Sequence, residues 1–299
     1  MRIRLSEKGP EVSRIALGMM RLRDLGLSPS GIVELVEESL EAGVTTFDFA
    51  DIYGGYTCEE TFGDALSLSP SLRGGMQIVT KFGIVLPSPG NPGGIKHYDT
   101  SREHISRSVE SSLRKLRTGH IDLLLIHRPD PLMDIEEVGA AFEELRGSGK
   151  VLHFGVSNFT PAQYELLSER LPVPLVTNQV ECSVLHLEPF EDGVIDSCVR
   201  HGIRPMAWSP LAGGELFTGK DDRSARVRGA LERARAARGA KTIDMVALAW
   251  LLGHPAGIVP VLGTGRIERI RDAVEAARIE LSREEWFGIW SASSGTGVP

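Results

Sequence analysis

VTTFDFADIYGG, residues 44–55, begins as a strand and ends in polar side chains. β-branched and aromatic residues are enriched in strands, and successive side chains point to opposite faces of a strand. This alternation places Phe47 and Phe49 on one face and Asp48 on the other. If the two phenylalanines pack against outer helices, Asp48 points into the interior of a barrel, and Tyr53 follows just past the end of the strand.

Seven further apolar runs of strand length alternate with longer amphipathic segments of helical periodicity. The runs are SRIALGMM (13–20), MQIVTKFG (76–83), IDLLLIH (121–127), VLHFGVSN (151–158), LVTNQV (175–180), IRPMAWSP (203–210) and GIVPVLG (257–263). Eight strand–helix units at a spacing of roughly 35 residues predict an α/β fold, the (β/α)8 TIM barrel, as a single domain over residues 1–299. A short N-terminal hairpin is expected to cap the bottom of the barrel.

An open, doubly wound sheet is the competing architecture for alternating strands and helices. Such a sheet would carry a G-x-G-x-x-G turn after its first strand, and the sequence has none there. GSGK at 147–150 resembles part of a phosphate-binding loop. However, Glu144 stands where that loop needs its first glycine, and Val151 stands where it needs Ser or Thr. We therefore interpret GSGK as the turn that ends a helix.

Local signals also predict where helices begin and where a pocket wall lies. Ser30 is predicted to cap the segment 28–43, and Thr100, three residues before Glu103, has the spacing of a capping box. The loop 83–99 after the third strand is long and rich in Pro and Gly. Loops of this length are usually functional, so we expect it to form a lid or a wall of the active-site pocket.

Charge and cysteine content exclude several classes of protein. The net charge of −7 argues against a general nucleic-acid binder, which would show a basic surface. Three cysteines without paired spacing argue against a disulfide framework and favour a reducing compartment. The N-terminal residues lack the apolar run of a signal peptide, and no apolar run approaches the roughly 18 residues of a membrane span. We expect a cytoplasmic protein without a membrane partner.

Polar and aromatic side chains occur where the predicted strands end. In a TIM barrel the carboxyl ends of the strands form the active-site face, so these side chains converge on one rim. A single histidine or lysine at a strand end is more often structural. Several polar or charged residues at the ends of successive strands would bring buried charges together, and buried charges are costly unless they are paired. Such a cluster therefore favours a functional site over a structural one. The residues concerned are Asp48, Tyr53, Lys81, His127, Ser157, Asn158, Gln179, Trp208 and Ser209.

Four of these residues fit the chemistry of a carbonyl reduction. A tyrosine with a pKa of about 10 is a weak acid, and a neighbouring lysine ammonium lowers that pKa. An aspartate keeps the lysine charged and in place, and a histidine orients the substrate carbonyl. Asp48, Tyr53, Lys81 and His127 therefore predict a proton donor beside a carbonyl, and the hydride must come from a cofactor.

Several motifs resemble those of the aldo-keto reductase superfamily. FDFADIYG resembles its D-x-A-x-x-Y-G signature, with Asp48 and Tyr53 at the matching positions. VTKFG resembles its lysine strand and LLLIHRPD its histidine strand, while GKVLHFGVSNF, NQVECS and AWSPLAGG resemble its later strand ends. The resemblance runs nearly end to end and is greatest to bacterial single-domain oxidoreductases.

This resemblance implies an NADPH-dependent carbonyl reductase. Tyr53 would be the general acid, Lys81 would lower its pKa, Asp48 would hold Lys81, and His127 would orient the carbonyl. The resemblance also implies the contacts to the cofactor. Ser157, Asn158 and Gln179 would bind the nicotinamide carboxamide, Trp208 would stack on the nicotinamide ring, and the segment containing Ser209, Leu211 and Gly213 would follow the pyrophosphate. The adenosine 2′-phosphate site would include Gly263, Thr264, Arg269 and Asp272, and Gly18 and Met19 would make further cofactor contacts.

The adenosine motif departs from the family pattern, which often begins with Lys and ends with Glu-Asn. Gly263, Asp272 and Ala273 hold those positions here. We still favour NADPH over NADH, because a hydroxyl and a guanidinium at a helix N-terminus suit a phosphate. No catalytic role is assigned to Asp51.

The substrate is predicted to be an uncharged aldehyde or ketone, because the expected pocket residues are mostly apolar. They are Met19, Met20, Tyr53, Phe82, loop 83–99 and the segment after His127; Trp286 or Trp290 could join them, although core packing suits those two better.

Two other functions are weighed against the reductase. One is an NADPH-binding regulatory or sensing subunit with slow turnover. The other is an unrelated barrel hydrolase or metalloenzyme. The eight histidines lack ligand spacing and no G-x-S-x-G occurs, so no metal site is predicted. A monomer is the expected oligomeric state.

Overall fold

Eight parallel strands form a closed barrel, which confirms the predicted TIM barrel. The structure is a computed structural model that describes residues 1–87 and 94–297, so residues 88–93 of the loop predicted to be a lid or pocket wall lie outside the described residues. The barrel strands are β3 (Ala16–Gly18), β4 (Thr46–Asp48), β5 (Gln77–Phe82), β8 (Ile121–Ile126), β9 (Val151–Ser157), β10 (Leu175–Glu181), β11 (Met206–Trp208) and β12 (Val259–Leu262). Each pairs with its sequence neighbours in the barrel, and β12 closes the ring on β3.

Helices cover the outside of this barrel. They are α1 (Pro29–Glu41), α2 (Tyr53–Tyr56), α3 (Cys58–Leu66), α4 (Arg102–Lys115), α5 (Ile135–Gly147), α6 (Pro161–Arg170), α7 (Glu188–Glu191), α8 (Val194–Arg200), α9 (Glu215–Thr218), α10 (Asp222–Arg238), α11 (Ile243–Leu252), α12 (Ile267–Ala276) and α13 (Arg283–Ser294). Three short 3₁₀ turns lie at Leu22–Leu25, Pro70–Gly75 and Ala212–Gly214. Among the described elements no helix is long and apolar enough to cross a membrane.

The predicted N-terminal hairpin is present and closes the bottom of the barrel. Its strands β1 (Arg2–Arg4) and β2 (Glu11–Ser13) pair antiparallel. Leu5 and Val12 are fully buried and pack against Val176 and other interior residues near the starts of the barrel strands. Apolar side chains of the hairpin thus fill this end of the barrel, and the cavity described below opens at the opposite end.

The faces of β4 follow the alternation predicted from its sequence. Phe47 and Phe49 are buried against Phe62 of α3, with ring centroids 5.8 Å and 4.8 Å from the Phe62 ring. Aromatic pairs at these separations stabilise the strand–helix contact. Asp48 is therefore directed to the interior, where Lys81 lies.

Two predicted helix caps are wrong by one or two residues. Ser28, rather than Ser30, accepts a hydrogen bond from Gly31 N at the start of α1. Ser101, rather than Thr100, accepts one from His104 N at the start of α4. Thr100 instead donates to Asp130 Oδ2 across the chain, a tertiary partner that local spacing does not reveal.

Candidate active site

Lys81 is the centre of a buried polar cluster at the carboxyl end of the barrel. It is about 1% exposed, and its ammonium donates to Asp48 Oδ2 and to the Phe49 carbonyl, both at 2.7 Å. The same ammonium lies 3.3 Å from Tyr53 Oη. Burial by itself lowers the pKa of Lys81, but the contacts with Asp48 and Tyr53 outweigh it and raise the pKa above its usual value. Lys81 is therefore a permanent cation beside the Tyr53 hydroxyl.

Tyr53 is brought there by the turn that follows β4. Gly54 and Gly55 adopt φ of +61° and +64°, a region that favours glycine, and they turn the chain back over the rim. A Cβ on Gly54 would also come within 2.7 Å of Cys58 Sγ. Gly54 therefore has a steric reason in addition to the conformational one, whereas Gly55 has open space around its Cα and only the conformational reason.

The pKa of Tyr53 is raised, whereas the sequence suggested that Lys81 would lower it. Burial is the largest cause; Lys81 and Arg128 oppose it, and Asp48 adds to it. The lysine thus acts in the predicted direction but does not outweigh desolvation. Tyr53 consequently keeps its proton throughout the neutral range and can donate it.

His127 faces Tyr53 as a neutral imidazole. The two rings meet edge to face with centroids 6.0 Å apart. Burial, followed by the charges of Lys81, Arg128 and Lys96, lowers the pKa of His127 to about 2. Its Nδ1 is buried without a hydrogen-bond partner among the described residues. A neutral imidazole at this position can donate one hydrogen bond to a carbonyl oxygen without competing with Tyr53 for the proton.

A cavity of about 570 Å³ opens above this cluster and contains most of the residues predicted from the sequence. The predicted residues that line it are Gly18, Asp48, Tyr53, His127, Ser157, Asn158, Gln179, Trp208, Ser209, Leu211, Gly213, Gly263, Thr264 and Arg269. Lys81 lies directly beneath, screened by Tyr53 and Asp48. Gly18 is required by packing, because a Cβ there would lie 3.0 Å from the Leu262 carbonyl oxygen.

Hydrogen bonds join five of the lining side chains near Tyr53, and the Ser157 hydroxyl makes the network continuous by donating to the Gln179 carbonyl at 2.8 Å. Trp208 Nε1 donates to Asn158 Oδ1 at 3.0 Å, and Asn158 Nδ2 donates to Ser157 Oγ at 2.7 Å. Gln179 Nε2 donates to Asp48 Oδ1 at 2.8 Å. Asn178 points the other way and pairs with the Phe159 backbone, as strand alternation predicts.

Backbone strain is concentrated at the same rim. Asn158, Ser209 and Ala212, all non-glycine residues, have φ of +62°, +49° and +51°. Such conformations cost about 1–3 kcal/mol each and persist where the surrounding structure holds them. The strained residues follow β9 and β11, which aims the Asn158 amide and the turn after Trp208 into the cavity.

The far end of the cavity has the donors that a phosphate needs. Gly263, Thr264 and Arg269 lie there, next to the first turn of α12. Thr264 Oγ1 accepts from Arg266 N at 3.2 Å and retains its own hydroxyl proton for donation. A free helix N-terminus with a hydroxyl and a guanidinium is a favourable anion site.

Besides the buried Lys81, three residues predicted for the site lie outside the cavity lining. Met19 is buried in the apolar core, and Phe82 is buried against Phe142. Asp272 accepts from Lys241 Nζ at 2.7 Å and does not line the cavity. Trp286 and Trp290 pack with Trp250 in the core, as favoured above; Trp286 stacks on Trp250 with centroids 4.6 Å apart.

Three further lining residues belong to segments that the sequence predicted for the pocket without naming them individually, and a fourth, Asp244, was not predicted. Arg128 follows His127 directly and its guanidinium lies 5.7 Å over the Trp208 ring. Lys96 and Tyr98 come from the described end of loop 83–99, next to β7 (His97–Tyr98), which pairs with β6 (Ile84–Val85). Arg128 could have been found from its place at a strand end. Asp244 of α11 also lines the cavity and has no local signal.

Asp51 lies behind the site, on the helix side of the barrel. It accepts from Ser108 Oγ at 2.8 Å, and its Oδ1 has no partner among the described residues. Burial is the main reason that the pKa of Asp51 rises to about 7, with Glu59 adding to the shift. Glu59 itself is held by Thr80 and Ser112, so both carboxyl groups face helix α4 and not the cavity.

Comparisons with known proteins show the family and the fold of this chain. The sequence profile described as the Aldo/keto reductase family matches residues 14–293. "Uncharacterized oxidoreductase YcsN" of Bacillus subtilis (strain 168) is 51% identical over 100% of this chain and 99% of its own. A "6-dehydroglucose reductase" of Agrobacterium fabrum is 47% identical over 99% of each chain. The crystal structure of the thermostable aldo-keto reductase Tm1743 with the inhibitor epalrestat superposes with a TM-score of 0.80 at 29% identity, covering 98% of this chain and 99% of that one.

Proposed function

This chain belongs to the aldo/keto reductase family of oxidoreductases, and on that premise we propose that it reduces an aldehyde or ketone to an alcohol with NADPH, Tyr53 donating the proton. The observation that carries the proposal is the position of Lys81. Its ammonium lies between Asp48 and Tyr53, at 2.7 Å and 3.3 Å, in a site closed to water on the barrel side. Fixed charges in such a site stabilise developing charge more strongly than water does.

The proton is held at Tyr53 Oη until a carbonyl oxygen needs it. Burial keeps the hydroxyl protonated, and His127 stays neutral, so only one of the two rings carries a transferable proton. When that proton leaves, the resulting phenolate lies beside the Lys81 ammonium. Asp48 and the Phe49 carbonyl hold Lys81 in place, which preserves this stabilisation without reorganisation.

The cavity residues fit an NADPH molecule. The amides of Asn158 and Gln179 and the Trp208 ring offer hydrogen bonds and a stacking surface next to Tyr53, while Thr264 and Arg269 offer phosphate donors at the far end. When bound, NADPH supplies the hydride. Ser157 would join the two amides at the carboxamide, and Ser209, Leu211 and Gly213 would follow the pyrophosphate. Arg269 and Thr264 are the basis for preferring the 2′-phosphorylated cofactor.

The substrate is a small carbonyl compound that enters between Tyr53 and the described residues Ile84, Lys96 and Tyr98, which line the same cavity. The relative named 6-dehydroglucose reductase makes a hydroxylated aldehyde a suitable first test compound. Met20, Ile52 and Ile84 line this end of the cavity together with polar side chains, so this end suits a substrate that has polar as well as apolar groups.

Turnover tests the proposal directly. The purified protein is mixed with NADPH and an aldehyde panel that includes glyceraldehyde, and loss of NADPH absorbance is followed with identification of the alcohol. We expect alcohol formed in a one-to-one ratio with NADPH consumed. Tight NADPH binding without any alcohol would favour the regulatory or sensing subunit. Absence of binding to either nicotinamide cofactor would contradict the proposed function.

A further inference from the structure

Two cations face the substrate end of the cavity, although the chain as a whole carries a net charge of −7. Arg128 extends from the end of β8 next to His127, and Lys96 extends from the segment before β7. Both side chains line the same cavity as Tyr53 and His127, and their charges contribute to the lowered pKa of His127. A local positive field in a cleft attracts ligands of the opposite charge.

Neither cation has an acidic partner among the described residues. The Arg128 guanidinium lies over the face of Trp208, at 5.7 Å from the ring centroid. Of the acids near these loops, Asp130 accepts from Thr100 and from Leu132 N, and Glu188 pairs with His186. Lysine and arginine are donors without acceptor capacity, so these two positions are complementary to an acceptor that a ligand brings.

The cofactor phosphates do not account for this pair. The donors suited to phosphate, Thr264 and Arg269, lie at the opposite end of the cavity, beside α12. A third cation, Arg21, lies nearer that end, and its guanidinium reaches the Gly213 carbonyl at 3.4 Å. Lys96 and Arg128 instead share their end with Tyr53 and His127, where the carbonyl substrate must bind.

We propose that Lys96 and Arg128 bind an anionic group, a carboxylate or a phosphate, on the carbonyl substrate of this enzyme. The inference rests on the proposed reductase function and specifies its substrate class. The reacting carbonyl lies at Tyr53 and His127, the anion lies between the two cations, and Ile52 and Ile84 contact the atoms that connect them. The proposal differs from the uncharged aldehyde or ketone predicted from the sequence. That prediction was based on the apolar residues of the expected pocket, whereas Lys96 and Arg128, which lie in segments predicted to line the pocket, bring two cations to it.

Matched substrate pairs test the inference. Succinic semialdehyde is compared with its uncharged methyl ester, and glyceraldehyde 3-phosphate with glyceraldehyde, each with saturating NADPH. We expect kcat/KM to be about 10- to 100-fold higher for the charged member of at least one pair, because hydrogen bonds to charged groups are the stronger ones. Preference in the first pair alone indicates a carboxylate, and preference in the second alone a phosphate. The preference should decline as salt is raised.

Substitution of the cations separates charge recognition from general damage. Lys96→Met and Arg128→Gln should reduce the charged-to-uncharged ratio of kcat/KM about tenfold each. Because both members of a pair use the same cofactor and the same tetrad, the ratio does not depend on cofactor affinity or on folding. Lys8→Met removes one exposed cation from the hairpin at the opposite end of the barrel and should leave the ratio unchanged.

The outcomes distinguish failure of the proposed anion site from failure of the proposed reductase function. Equal kcat/KM within both pairs, or a preference that survives in both variants, would overturn the anion site while leaving the reductase in place. Failure to reduce any of the four compounds, with NADPH bound, would overturn the anion site together with the proposed function. A preference that is lost in Lys96→Met and Arg128→Gln but kept in Lys8→Met supports the inference.

Discussion

Gln179 donates a hydrogen bond of 2.8 Å from its side-chain amide to Asp48 Oδ1, across the interior of the barrel. The other oxygen of Asp48 accepts from Lys81. Asp48 therefore connects the lysine beside Tyr53 with an amide that we assign to the nicotinamide carboxamide. Through this one carboxylate, the proton site and the cofactor site share a buried network.

Removal of the Gln179 amide should weaken both functions of that network. In Gln179→Met, Asp48 Oδ1 loses its partner, and we expect NADPH affinity to fall about tenfold, the value of one buried hydrogen bond. Titration of Trp208 fluorescence with NADPH measures this. Gln77→Met is the matched control, because Gln77 bonds to Thr45 at the opposite end of the barrel. Unchanged NADPH affinity in Gln179→Met would contradict the assignment.

Loss of Lys81 should destabilise the protein more than loss of the whole ion pair. Lys81→Met leaves the Asp48 carboxylate buried without its cation, and we expect the free energy of unfolding to drop by about 3–5 kcal/mol. In Lys81→Met with Asp48→Asn no unpaired charge remains, so part of the stability should return. Denaturant unfolding of both variants measures the difference. A double variant no more stable than Lys81→Met would show that charge is not the cause.

Asp51 should make stability fall as the pH rises. Its pKa is about 7 in the folded protein and 3.8 in an exposed chain, so between those values the folded state binds more protons than the unfolded state. The free energy of unfolding therefore decreases from about pH 4 to about pH 7, by about 4 kcal/mol at most.

Asp51→Asn removes the titrating carboxyl group, and with it this pH dependence of stability, but keeps an oxygen that can accept the hydrogen bond from Ser108. We expect the variant to be more stable than the wild type at pH 8 and similar to it near pH 4. Denaturant unfolding at the two values provides the measurement. Asp64→Asn, which removes an exposed aspartate paired with Arg117, is the control and should not show this change. A variant less stable than the wild type at pH 8 would contradict the assignment.

Arg269 should discriminate between the two nicotinamide cofactors. In Arg269→Gln we expect the Kd for NADPH to rise about 10- to 100-fold, since a charge-assisted hydrogen bond to phosphate is lost, with little effect on NADH. Arg271→Gln is a close control, because Arg271 is two residues along α12 and pairs with Glu38 outside the cavity. Equal weakening of both cofactors by Arg269→Gln would argue against a 2′-phosphate contact.

The pH profile of turnover should show no loss of activity caused by protonation of His127. Its pKa of about 2 keeps the imidazole neutral, and the raised pKa of Tyr53 keeps the phenol protonated. We therefore expect kcat/KM to be flat between about pH 5 and pH 9. A fall in activity below about pH 6.5 that disappears in His127→Gln would show that the imidazole titrates in its ordinary range.

The strands and the tetrad could be predicted from the sequence because the signals for both are local. Each strand is a short apolar run, and the polar residue at its end marks the active-site rim once a barrel is assumed. The direction of Asp48 follows from the alternation of side chains along β4, and Tyr53 and Lys81 follow from their positions just past or near the ends of strands. The N-caps at Ser28 and Ser101 were missed because a neighbouring Ser or Thr offers the same local chemistry.

Tertiary contacts explain what the sequence did not reveal. The pKa of Tyr53 depends on the balance between burial and the Lys81 charge, and only a structure gives that balance. Asp272 matches a motif position, yet its side chain reaches Lys241. Lys96 and Arg128 belong to different loops, and their common approach to His127 is a property of the folded barrel.

Replacement of the Tyr53 hydroxyl tests the central claim most directly. In Tyr53→Phe we expect kcat for aldehyde reduction to fall by at least about 100-fold, as for loss of a general acid, while NADPH binding remains unchanged. Tyr164→Phe serves as the matched control, because it removes a hydroxyl that donates to the Leu175 carbonyl near the bottom of the barrel, away from the cavity. Full reductase activity in Tyr53→Phe would contradict the proposed proton donor.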